Sequence, residues 1–105
     1  MVTTEDDGCQ HNNVDVATTM ANLIAPLSST QIESLTIDAI LEHRESLAKA
    51  EAAFDSWKSA QAANLETVAE LYSDYTRLML AARARQMVLA TLIERLGFIP
   101  SVPST

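Results

Sequence analysis

The sequence predicts an all-α protein: an antiparallel, coiled-coil-like two-helix hairpin that assembles as a homodimeric four-helix bundle, with a short N-terminal helical arm. Three observations carry this expectation. Stepping from Leu65 by alternating threes and fours lands on Val68, Tyr72, Tyr75, Met79, Ala82, Gln86, Leu89, Ile93 and Leu96. Nine of these ten positions are apolar, the pattern of a heptad helix. No Gly or Pro occurs between Leu27 and Leu96. The chain of 105 residues is 48% apolar but only 5% aromatic, and so rich in Ala and Leu that helices suit it better than sheets.

Residues 1–27 read as a flexible acidic arm with a candidate short helix. Glu5, Asp6, Asp7 and Gly8 mark a disordered start, unlike the basic-then-apolar order of a signal peptide. Cys9 and His11 would make at best half a metal site. One cysteine excludes an internal disulfide framework and fits a reducing compartment. From Val14 to Ile24 the residues Val16, Met20, Leu23 and Ile24 share a helical face, with Asn13 as the cap. Pro26 pushes Ala25 out of the helical region and ends the segment.

Residues 28–100 form the hairpin domain. Thr30 and Glu33 match a T-x-x-E capping box, and the helix it starts continues through Ile32, Leu35, Ile40, Leu47, Ala50, Phe54 and Trp57. His43 falls at an inward position and reads as a core histidine. A single rod of about 70 residues would be ~100 Å long, extreme for so small a chain; a fold-back is expected. The turn is placed at Lys58–Asn64, with Asn64 capping the second helix and Glu66 in its first turn. Antiparallel pairing brings Arg83 and Arg85 beside Asp38, Glu42 and Glu45, and an Asp38–Arg85 pair inside the dimer is one reading of these charges. Gly97 ends the second helix as a left-handed cap. Phe98 and Ile99 are then expected to fold back over the helix end, and residues 101–105 to form a disordered tail.

Leu71, Leu78 and Leu92 widen the stripe beyond what one partner helix needs. From Leu78 to Ile93 the second helix is apolar on most sides. A hairpin of this size buries too little core alone, so a second copy is expected, with Leu65, Val68, Tyr75, Met79, Leu89, Ile93 and Leu96 as dimer core. Gln86, the polar exception, reads as a buried side chain that sets register.

A net charge of −7, with all seven basic residues from Arg44 onward, disfavours direct nucleic-acid binding. No apolar run reaches the ~20 residues of a membrane helix, and a cytoplasmic protein is expected. No Ser-His-Asp set, E-x-x-H motif or Gly-rich phosphate loop occurs. An enzyme, a cofactor and a small-molecule ligand are therefore not expected.

Two stretches carry a resemblance. Leu35-Thr36-Ile37-Asp38-Ala39-Ile40, then His43-Arg44, Lys49-Ala50 and Phe54, resembles the TraM family. Thr91-Leu92-Ile93 followed by Leu96-Gly97-Phe98-Ile99-Pro100 is similar to that family's C-terminal signature. With a weaker echo at Leu23-Ile24, the resemblance spans roughly residues 23–100, concentrated in these two stretches. TraM proteins are quorum-sensing anti-activators carried on conjugal plasmids of plant-associated bacteria. The resemblance implies a dimer of helical hairpins that binds TraR, a LuxR-type activator, keeps it off DNA and shuts off plasmid transfer genes. Arg44, Tyr72 and Arg77 are candidate partner contacts, because aromatics and Arg anchor interfaces. Phe98 and Ile99 are further candidates, although an apolar pair after a cap more often packs inward. The alternative is a structural coiled-coil dimerisation module. DNA binding through Arg77, Arg83, Arg85 and Arg95 would need a basic face that these scattered arginines do not form.

Overall fold

Residues 16–102 are described in a computed structural model of the chain. The Cys9–His11 pair, the Asn13 cap, the start of the arm and the tail from 103 onward lie outside the described residues. Among the described residues three helices follow in order: α1 over residues 16–24, α2 from Ser29–Ala62 and α3 from Val68–Leu96. The described chain is all-helical, and α2 and α3 form the expected antiparallel hairpin.

In α1, Met20 and Ile24 sit one turn apart and are half-buried. Val16 and Leu23 are exposed, Leu23 by 76%. The inward face of the arm is therefore narrower than its apolar pattern implied. Pro26 ends α1 as expected, with a turn in which Leu27 N–H donates to the Ile24 carbonyl at 3.1 Å. Ile24 and Leu27 pack against Ile32, Ala39 and Leu92. Arg95 Nη2 donates to the Ala25 carbonyl across 3.2 Å, which ties the arm to the end of α3.

The capping box of α2 lies two residues earlier than Thr30–Glu33. Ser28 is extended, at φ −74° and ψ 162°, and its Oγ accepts from Gln31 N–H at 3.2 Å. Gln31 Oε1 accepts from Ser28 N–H at 2.9 Å. The motif is S-x-x-Q, and it wins because the turn after Pro26 delivers Ser28 in the extended conformation a cap requires. Thr30 is left inside the first turn.

At the other end of α2 the structure corrects the turn. Asn64 does not cap α3; it closes α2 from the left-handed region at φ 57°. Asn64 N–H donates to the Gln61 carbonyl at 3.2 Å and Leu65 N–H to that of Ala60 at 3.0 Å. This pair of bonds is a Schellman closure, and Asn is the residue after Gly that best tolerates it. Thr67 precedes α3 without a side-chain cap. Leu65, read as the first residue of the heptad stripe, therefore lies in the turn and is exposed.

Gly97 closes α3 as expected, at φ 92° with its N–H on the Ile93 carbonyl at 2.8 Å. Beyond it the expected fold-back does not form. Phe98 is 52% and Ile99 71% exposed, while Pro100 is buried. The reason lies in the arm: Ile24 and Leu27, with Leu89 and Leu96, already pack on the cluster at the open end of the hairpin.

Between the helices the buried residues are small. Ala39, Ala50, Ala60 and Ala82 line the contact, with Ile32, Ile40 and Leu92 as the larger apolar members. Thr36 is fully buried, and its hydroxyl donates to the Ile32 carbonyl at 2.7 Å, so no polar atom is stranded. The turn end is closed by rings: Phe54 and Trp57 of α2 meet Tyr72 and Tyr75 of α3, with centroids 4.9 Å apart for Trp57–Tyr72 and 5.3 Å for Phe54–Tyr75. Arg85 pairs across the hairpin with Glu42 at 2.8 Å, not with Asp38, which is exposed. Gln86 is exposed within the chain and accepts from Arg83 Nη1 at 2.9 Å.

Two outcomes follow for stability, both measured by thermal and urea unfolding. Asn64→Val places a β-branched residue at positive φ and should cost about 1–2 kcal/mol, whereas Asn64→Gly should be neutral or stabilising. Ala82→Leu adds bulk where the helices touch and should cost about 1–3 kcal/mol; a neutral result would show that the helices can part there without loss.

Candidate interaction surface

Binding surfaces on a helical hairpin are built from the side chains that its own packing leaves free. Along α3, Leu80, Ala84, Met87 and Val88 fall at helical spacing on one outer stripe, and all four are exposed. Leu80 is 65% and Met87 54% exposed. On α2, Leu35 and Leu41 are exposed as well. The α3 stripe is apolar surface that the chain's own packing leaves uncovered.

The candidate partner contacts do not form one patch. Arg44 is exposed in the middle of α2. Tyr72 stands at the turn end, partly covered by Trp57. Arg77 is exposed and held by Asp74 one turn away at 3.2 Å. Five residues of helix put Tyr72 and Arg77 about 140° apart around α3. Phe98 and Ile99 lie at the opposite end, ~39 Å from Tyr72 along the helix axis.

The residues assigned to the dimer core face inward within one chain. Leu89 and Leu96 pack on the Ile32–Ala39–Leu92 cluster. Tyr75 is held among the rings of Phe54, Trp57 and Tyr72. Val68, Met79 and Ile93 are half-buried, and only Leu65 is largely exposed. The free apolar stripe is the outer one. Its signal was present in the sequence, since α3 is apolar on most sides, but the heptad count selects only the inner face.

A groove opens beside the ring cluster. It has a volume of about 460 Å³ and is lined by Glu51, Phe54, Asp55, Tyr75 and Met79. Sequence reading placed Phe54 and Trp57 on the inward stripe of the first helix and gave no sign of this groove, because it depends on pairing residues from two helices. Lys58 Nζ lies 5.6 Å from the centroid of the Trp57 ring, a cation already in contact with the cluster. Among the described residues no group of His, Cys, Asp and Glu is arranged to hold a metal ion. No helix among them is long and apolar enough to cross a membrane.

No solved structure matches the chain significantly. The family model described as prokaryotic transcriptional repressor TraM matches residues 1–101. That match covers both stretches on which the resemblance rests and nearly the entire sequence. The chain belongs to the TraM family of prokaryotic transcriptional repressors.

Proposed function

We propose that the protein is an anti-activator of quorum sensing that binds a LuxR-type transcriptional activator, TraR, and keeps it off DNA. Conjugal plasmid transfer genes would then stay silent. The family match over residues 1–101 is the observation that carries this reading. A repressor with a net charge of −7 is poorly suited to gripping phosphates itself. It is well suited to capturing a protein whose DNA-binding face is basic, where complementary charge speeds encounter and selects the partner. The site of action is the cytoplasm, where the activator meets DNA. The chemistry is binding alone, in keeping with a family of repressors and not of enzymes.

The working form on this proposal is a homodimer of hairpins. Support comes from the exposed Leu80, Met87 and Val88 on α3 and from the exposed Leu35 and Leu41 on α2, which a lone chain leaves in water at about 25 cal/mol per Å². Phe98 and Ile99 become stronger partner contacts than they were in sequence, because the structure leaves them exposed within the family's C-terminal signature. Arg44, Tyr72 and Arg77 remain proposed contacts of lesser weight, since each stands apart from the others.

Three measurements check this. Sedimentation at micromolar concentration should give a dimer mass, and a well-folded monomer would sink the assembly. In a gel shift with a LuxR-type activator on its promoter, added protein should abolish the activator–DNA band; a persistent band would point instead to a dimerisation module without regulatory activity. Phe98→Ala should change stability by less than ~1 kcal/mol, as expected of an exposed side chain, yet weaken release of the activator from DNA several-fold. A large loss of stability with unchanged release from DNA would assign Phe98 to the scaffold.

A further inference from the structure

The groove beside the ring cluster combines two chemistries. Phe54 and Tyr75, whose ring centroids are 5.3 Å apart, give it aromatic walls, and Met79 adds a polarisable thioether. Glu51 and Asp55 stand one turn apart on α2 and line the same space. Both carboxylates are exposed, and neither makes an ion pair among the described residues. By contrast Glu42, Glu45 and Asp74 are each taken by an arginine or lysine. No cation lines the groove.

Rings offer a negative face to a cation, and a free carboxylate offers two acceptors to a planar fork of N–H donors. A guanidinium satisfies both at once: it stacks on aromatic faces and bonds carboxylates in pairs, which a compact ammonium does less well. The groove is open to solvent and, at about 460 Å³, has room for one long side chain.

We infer that the groove formed by Phe54, Tyr75, Met79, Glu51 and Asp55 is a docking notch for an arginine side chain of the protein partner. The inference rests on the activator reading above and deepens it. Charge complementarity favours this occupant over a second copy, because the chain as a whole is acidic.

The notch can be tested apart from the activator. The full chain is titrated with a blocked peptide of alternating Arg and Gly, followed by calorimetry and by emission of its single tryptophan, Trp57, 6.3 Å from the Tyr75 ring centroid. The Glu51→Gln/Asp55→Asn protein should bind the peptide at least about tenfold more weakly. Glu33→Gln/Glu94→Gln, which removes the same two charges at the open end, should bind like the unaltered chain. A citrulline peptide of the same shape should not bind. Equal loss in both double variants would reduce the effect to general acidity and overturn the notch. Binding of the citrulline peptide, or failure of the arginine peptide to bind the unaltered chain, would overturn it too. So would a Glu51/Asp55 variant that binds the peptide normally but loses its dimer mass, because a second copy would then own the groove. The activator reading is judged separately by the gel shift with the unaltered chain, whatever the peptide does.

Discussion

Two long helices lie side by side only where the side chains between them are small enough to let them. Here that constraint is met by Ala39, Ala50, Ala60 and Ala82, the smallest of the buried residues. Each alanine buries little apolar area, so the contact gives proximity more than energy. The larger contributions fall at the two ends, in the rings near the turn and in the Ile32–Leu92 cluster with the arm upon it. Cross-helix charge adds little: Arg85 and Glu42 are both about half-exposed, and exposed pairs are worth at most about 1 kcal/mol. The hairpin is thus well specified in geometry and thin in core. Its large apolar residues, pushed outward by the close approach, become surface.

Much of this architecture was legible in the chain. The break at Pro26, the length of the helices, the cap at Gly97 and the Arg85 contact with an acidic helix all follow from local chemistry and antiparallel pairing. The misplaced features share a cause. Ser28 and Thr30 both head a plausible capping box, and only the chain's exit from the Pro26 turn selects Ser28. Asn64 has two helical uses, as an N-cap or as a left-handed closure, and the hydrogen bonds to Gln61 and Ala60 require the second. Phe98 and Ile99 were expected inside because a helix end needs a cover, yet Ile24 and Leu27, more than sixty residues earlier, supply it. In each case the deciding contact is with a residue distant from, or just outside, the motif being read. The groove at Glu51 and Tyr75 is the extreme example, since half of it comes from each helix.

The surface available to a partner is distributed along the rod: an outer apolar stripe on α3, an aromatic and acidic groove near the turn, and an exposed Phe-Ile pair at the open end. A partner that touches several of these at once gains specificity from their spacing, which the rigid hairpin fixes. Weak contacts held at set distances act together as linked binding events. On the proposed function, that logic suits a repressor that keeps an activator off DNA without resembling DNA itself.

The ring cluster also has a place in time. Trp57 and Tyr72, in contact at 4.9 Å, are separated by only 15 residues of chain, whereas Ile32 and Leu92 are separated by 60. Closing the longer loop first would cost about 1.2 kcal/mol more in chain entropy, two doublings of loop length at ~0.6 each. Loop-closure entropy therefore favours a hairpin that zips from its turn toward its open end, with the aromatic rings meeting before the alanines. The arm's bond from Arg95 to Ala25 joins the two chain ends of the hairpin, so it needs the open end in place before it can form. On that account the end of the molecule that carries Phe98 and Ile99 is the one whose closure waits on the rest of the hairpin.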